Sequence, residues 1–205
     1  AIATLLQAVL SAGVTDEAEA FLNDQLTDDE FQDEVLALGS VSALVSLATI
    51  AAGVVTIIWM FRMSKNVRLV GRATTWSPLF AIFGWFLPPL VLYVIPFLVL
   101  RELWKASEPT AVDGTDDWKR TPDSALLWVW FVVFGLLPAV LFVAEVSSVA
   151  TGGLGGGALE TQAETLADHG LAQWAGAVLT LVAAAVWVPF VRQLTRRHTE
   201  LTGER

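Results

Sequence analysis

Apolar residues run almost unbroken through four long stretches of the chain: Leu36 to Phe61, Ser77 to Leu100, Ala125 to Val149 and Leu171 to Val191. Each is long enough to matter, because a helix crossing the hydrocarbon core needs about 20 predominantly apolar residues. Three of them, Leu36 to Phe61, Ala125 to Val149 and Leu171 to Val191, qualify plainly and are predicted to be transmembrane helices. The stretch Ser77 to Leu100 carries Pro78, Pro88, Pro89 and Pro96. Proline removes a backbone donor and clashes with the preceding turn, so this segment is expected to bend. The pattern predicts an all-α, polytopic helical membrane protein: three transmembrane helices, one Pro-bent re-entrant or spanning segment, and extramembrane amphipathic helices. Ile2 to Leu10 is apolar but too short to span. It either follows a removed signal peptide or forms the outer end of a longer helix.

Ahead of the first span the period changes. Phe21, Leu22, Leu26, Phe31, Val35 and Leu36 recur at roughly helical spacing under an acidic face, which predicts helices over residues 15–37. Thr15 is a candidate N-cap. Thr27-Asp-Asp-Glu30 matches a capping box, in which the threonine and glutamate side chains satisfy each other's backbone donors. The second of these helices is expected to run on into the first span.

Composition agrees: 55% of the 205 residues are hydrophobic and 16% charged, against about a quarter charged in soluble domains. The net charge of −9 misleads until it is placed along the chain. All twelve Lys and Arg fall in residues 62–72, 101–120 and 192–205, whereas residues 1–37 and 151–170 hold only acidic charge. Cationic flanks stay on the cytoplasmic side, so this distribution orients the chain. It predicts a multi-pass membrane protein with a cytoplasmic C-terminus. The acidic N-terminal part (residues 1–37) lies outside, and a helical membrane domain (residues 38–205) has cytoplasmic loops at 62–76 and 101–124 and a cytoplasmic tail at 192–205. Both flanks of Ser77 to Leu100 then lie on one side, which favours a re-entrant hairpin or in-plane helix there.

Within the first span, Gly39, Ser46 and Gly53 repeat every seven residues and are candidates for close helix packing. Thr151 to Gly157 reads as a flexible outer linker, since its glycines follow no strand and precede no G-K-[ST]. Ala158 to Asp168 reads as a short amphipathic helix, and Ser107 to Ser124 as a mixed-charge loop broken at Pro109, Gly114 and Pro122. There is no internal repeat. With no cysteine, disulfides and Cys-ligated metals are excluded.

Candidate chemistry is sparse. Glu145 is the one ionisable group inside these three predicted spans and a candidate ion site. Its place near the outer end of its span favours a simpler, interfacial reading. Arg62, Asn66 and Arg68 are candidates for contact with a lipid phosphate, set against a plain positive-inside anchor. His169 and His198 are expected on opposite faces of the membrane, which rules out a shared metal site; each reads as a solvated histidine. Trp59, Trp128, Trp130, Trp174 and Trp187 are expected to form interfacial belts, and Trp104 to anchor an amphipathic cytoplasmic helix. No Ser/His/Asp set, H-E-x-x-H motif or pair of carboxylates in one pocket can be assembled. No catalytic, cofactor or metal site is therefore expected.

The stretch from Trp59 to Pro109 carries Trp59-x-x-Arg62-x-x-x-Asn66, Ser77-Pro78, Gly84-Trp85-Phe86-x-Pro88, Pro96 and Arg101-Glu102-Leu103-Trp104-x-Ala106-Ser107-x-Pro109. In these residues the chain resembles an uncharacterised bacterial membrane family, frequent in actinobacteria, domain of unknown function 4328. Family members tend to be more polar between the two prolines, where this chain has Leu90-Val-Leu-Tyr-Val-Ile95. The resemblance implies an address in the bacterial inner (cytoplasmic) membrane and no established activity. Taken together, the expectation is a non-catalytic membrane subunit that packs against and supports a larger membrane assembly. Its partners would be membrane lipids and other integral membrane proteins, with a cationic partner for the outer acidic helices and no nucleic acid. The alternative is a small transporter or channel built around residues 77–100.

Overall fold

A computed structural model of the chain describes residues 17–18, 20–23, 25–87, 93–112, 114–137 and 170–203. Among these residues every regular element is helical, as expected. They are α1 (Asp28–Leu69), α2 (Phe80–Phe83) running into a 3-10 turn (Gly84–Phe86), α3 (Val94–Ala106), a 3-10 turn at Asp117–Arg120, α4 (Ala125–Trp130) running into a π-helical stretch (Phe131–Leu136), and α5 (Gly170–Thr202). Two helices, Asp28–Leu69 and Trp174–Thr202, are long and apolar enough to cross a membrane, rather than the three expected. The other expected span is described only at its start, as the shorter apolar helix Ala125–Leu136; residues 138–149, with Glu145, lie outside the described residues. So do Thr15, Ala158 to Asp168 and His169.

The chain divides into two compact units, Ala1–Ala51 with Val140–Val182, and Ala52–Ala139 with Ala183–Arg205. In the first, the capping box forms as the sequence predicts. Thr27 N–H donates to Glu30 Oε2 at 3.1 Å, and Glu30 N–H to Thr27 Oγ1 at 3.4 Å. Just inside the cap, Phe31 is fully buried with Ala18 and stacks on Phe21 at 4.6 Å between ring centroids. The cap thus fixes where α1 starts, and the aromatic pair fixes what precedes it.

The second unit holds the main core: Met60, Met63 and Val67 of α1, Phe97, Leu100 and Leu103 of α3, Leu127 and Trp130 of α4, and Phe190 and Leu194 of α5. Three of the five tryptophans expected in interfacial belts are part of this packing. Trp187 meets Trp59 edge-on at 6.2 Å and Trp130 at 4.8 Å, and Trp130 is buried. Large rings are drawn into the core because nothing else fills as much space there; only Trp128 and Trp174 stay exposed.

The described residues of the Pro-rich stretch form two arms, 77–87 and 93–100. Leu87 leaves the 3-10 turn at φ −75°, ψ 161°, the extended conformation that a following proline imposes. The arms pack against each other, and Gly84 makes that possible. A Cβ there would sit 2.8 Å from Ile95 Cγ2 and 3.6 Å from Pro96 Cδ.

Candidate functional site

The second unit gathers its polar side chains at one end of α3, around the motif Arg101 to Pro109. Helical geometry explains why each motif residue meets a different neighbour: successive side chains are about 100° apart, and only positions three or four apart share a face. Pro96, Val99, Leu100, Leu103 and Ala106 follow that rule and form the buried face. Arg101 and Lys105, four apart, both reach Asp123: Arg101 Nη2 at 2.8 Å and Lys105 Nζ at 3.1 Å. The Arg101 hydrogen bond, outweighing partial burial and aided by Lys105, holds the Asp123 carboxyl below its usual range. The same bond raises the Arg101 guanidinium.

Glu102 points elsewhere. Its carboxylate accepts the backbone N–H of Thr75 at 2.6 Å and of Trp76 at 3.0 Å, fastening the segment before Ser77 to the helix that follows. Arg68 supports the same turn, donating to Thr74 Oγ1 at 2.9 Å and to the carbonyls of Thr74 and Trp76.

Arg72 enters through the end of α1. Gly71 adopts φ +83°, with its N–H bonded to the Arg68 carbonyl and the Arg72 N–H to the Val67 carbonyl. This is a Schellman ending, and glycine tolerates its left-handed position without a Cβ penalty. The turn carries Arg72 inward, where it is 1% exposed and donates to the carbonyls of Glu108 at 3.3 Å and Ala111 at 2.8 Å.

From α5, Arg197 Nη2 pairs with Glu108 Oε2 at 2.5 Å while its guanidinium lies 4.2 Å over the Trp104 ring. Burial alone would raise the Glu108 carboxyl, but the hydroxyl and N–H of Thr110 and the Arg197 charge hold it low. His198 Nδ1 lies 3.3 Å from Ser107 Oγ, both side chains buried. Sequence reading had His198 solvated in a tail; α5 instead stays helical through Thr202 and turns that histidine inward. Trp104, expected to anchor a helix in the interface, donates to the Pro122 carbonyl at 3.0 Å and packs near Phe190. The loop 107–124 is likewise ordered by a buried Trp118 in its 3-10 turn.

Chemically, Glu102, Glu108 and Asp123 are each engaged by cations or backbone donors, so the cluster clamps chain segments together. Among the described residues no three His, Asp or Glu side chains gather as metal ligands. The sequence missed Arg72, Glu102, Glu108, Trp118, Asp123 and Arg197 as a group; the alternating charges of Arg101 and Glu102 were the one local signal.

The residues singled out from sequence are spread along α1. Gly39, Ser46 and Gly53 are exposed, and a Cβ on either glycine would meet nothing within 4 Å. Arg62 is exposed beside Lys65, Asn66 is half-buried, and Arg68 is committed to the 74–76 turn. The exposed hydroxyls of Ser40, Ser46 and Thr49 bond to carbonyls one turn back in their own helix, at 2.8–2.9 Å.

No curated protein and no solved structure matches the chain. The family described as domain of unknown function (DUF4328) matches residues 23–196, well beyond the Trp59 to Pro109 stretch and including the cluster from Arg68 to Asp123. The chain belongs to the DUF4328 family.

Proposed function

We propose that this protein is a non-catalytic, multi-pass subunit of a membrane assembly, docking onto another integral membrane protein through the small-residue face of α1. The observation that carries this reading is the state of that helix. Leu44, Leu47, Ile50 and Val55 are each more than 60% exposed, and the space over Gly39 and Gly53 is open. Small residues let helix backbones approach closely in lipid, where apolar burial supplies little drive. Own-helix bonding of Ser40, Ser46 and Thr49 suits a setting without water, where each backbone and hydroxyl group must find a partner.

The orientation follows from charge, with the acidic N-terminal part outside and the C-terminus cytoplasmic. Geometry supports it: the three stretches that hold every Lys and Arg are joined directly, by Arg72 to Glu108 and by Arg197 to Glu108. Segments in hydrogen-bond contact share one side of a membrane. The transporter reading ranks second, because the two arms of the Pro-bent segment close on each other at Gly84 and Ile95.

Ser46→Leu with Gly53→Leu tests the docking face. In native membranes, the wild-type chain should cross-link and migrate as a species well above its 22.1 kDa. The double variant should insert, keep its thermal midpoint and run alone. A wild-type chain that is already monomeric in native membranes would sink the proposal.

A further inference from the structure

We infer that the two arms 77–87 and 93–100 dip into one leaflet from the same side and lay the ring face of Phe80, Phe83 and Phe86 against lipid acyl chains. The inference rests on the membrane reading above and goes beyond it by assigning a lipid-contacting surface.

Its first support is where the segment begins and ends. Glu102 accepts the N–H groups of Thr75 and Trp76, so the residues entering and leaving the segment are hydrogen-bonded to each other. A spanning helix would part those ends by about 30 Å. The second support is reach. From Glu102 back to Val94, α3 makes eight steps of ~1.5 Å, or ~12 Å, less than half the hydrocarbon thickness of ~30 Å.

The third is the difference between the arms. The α3 arm is covered: Phe97 stacks on Phe131 at 4.3 Å and meets Trp128 at 4.7 Å, and Tyr93 meets Phe134 at 5.6 Å. The other arm buries Ala81 and Gly84 against α3 and turns its larger side chains outward. Leu79 is 54% exposed, Phe83 59% and Phe86 72%. Spacing by threes through a short helix and a 3-10 turn puts Phe80, Phe83 and Phe86 on one side.

Charge identifies the occupant. Residues 73–100 contain no Asp, Glu, Lys, Arg or His, and the segment is bounded by Arg72 and Arg101. An aqueous or polar protein surface would be a poor match for three exposed phenylalanines in an uncharged run. Acyl chains suit them, with the cationic cluster at headgroup level.

The absence of cysteine makes the test direct. Phe83→Cys, Phe86→Cys, Ile50→Cys and Thr110→Cys, each labelled with an environment-sensitive fluorophore, are placed in phosphatidylcholine–phosphatidylglycerol vesicles. The lipids carry nitroxides either near the headgroup or at the chain end. Labels at 83 and 86 should be quenched by the lipid nitroxides, on the order of twofold or more, from a depth within one leaflet. The label at 50 should sit at the bilayer centre, and the label at 110 should respond only to an aqueous quencher from the side that reaches a Lys65→Cys label. Quenching at 50 without quenching at 83 and 86 overturns the hairpin face while leaving the membrane reading intact. Access to 110 and 65 from opposite sides also overturns it. No quenching at 50 removes the membrane reading itself.

Discussion

The close approach of Gly84 to Ile95 sets the shape of the Pro-bent segment, and Gly84→Ala measures it. Gly84 has φ −57°, ψ −26°, a conformation that alanine adopts freely. On backbone grounds alone the substitution would stabilise by about 0.4–1 kcal/mol, through loss of freedom in the unfolded chain. The added Cβ, however, would lie 2.8 Å from Ile95 Cγ2, about 0.6 Å inside the 3.4 Å at which ordinary contact begins. Cγ2 is attached directly to Cβ and cannot swing away, and Pro96 holds the next residue. Overpacking of this kind costs about 1–3 kcal/mol, so a net loss of about 1–2 kcal/mol is expected. At this chain length that corresponds to about 3–6 °C in the unfolding midpoint.

The second half of the cycle separates strain from incidental damage. Ile95→Ala removes Cγ2, and in the wild-type background it should cost about 1–2 kcal/mol for a half-buried side chain. In the Gly84→Ala background it should cost much less, or restore stability, because it opens the space that the new methyl needs. A coupling of at least ~1 kcal/mol is expected, since residues in contact are not additive. The assay is thermal unfolding in mild detergent, followed through the nine tryptophans. Additive effects, within about 0.5 kcal/mol, would show that the two arms do not meet.

The cluster makes further predictions. Asp123 and Glu108 are both held below their ordinary values of 3.8 and 4.5, so the stability they contribute is present above those values and fades as pH falls through the lower, folded ones. Asp123→Asn should therefore lower the midpoint at pH 7 and make its decline in acid shallower; an unchanged acid profile would refute the link. Arg72→Met should cost about 2–4 kcal/mol, because the carbonyls of Glu108 and Ala111 lose a buried donor, and protease cleavage should rise within residues 107–116. A change below about 0.5 kcal/mol would mean that Arg72 does not hold the loop.

What could be read from the sequence was local. Apolar length and flanking charge mark α1 and α5 because both are properties of a single stretch. The capping box at Thr27 is equally local. The tryptophans misled because belts and cores both favour large amphipathic rings. Only the fold decides that Trp59, Trp130 and Trp187 face one another. His198 misled because a polar continuation of an apolar helix reads as a tail. The signal against that was the lack of any Gly or Pro between Pro189 and Gly203. Glu102 and Thr75 lie 27 residues apart, and Arg197 and Glu108 89 apart. Such pairings depend on topology, and nothing in either stretch alone announces them.

The family motif makes physical sense on these terms. Charged residues such as Arg101, Glu102 and Lys105 beside aromatic ones invite a catalytic reading. Here each ties α3 to a different segment: Arg101 and Lys105 to Asp123, Glu102 to the turn at Thr75, Trp104 to Pro122 and Arg197, Ser107 to His198. On the proposed membrane reading, helices gain little from apolar burial in lipid, so packing and polar contacts would define how they are arranged. Partly buried ion pairs add modest stability, because desolvation offsets much of their attraction. Their larger effect is on specificity, since a slipped register would leave Arg72 or Glu108 without the donors and acceptors that match it. A cluster built this way selects one arrangement of α1, α3 and α5 within the second unit. The same arrangement holds the backbone of Thr75 and Trp76 against Glu102 of α3.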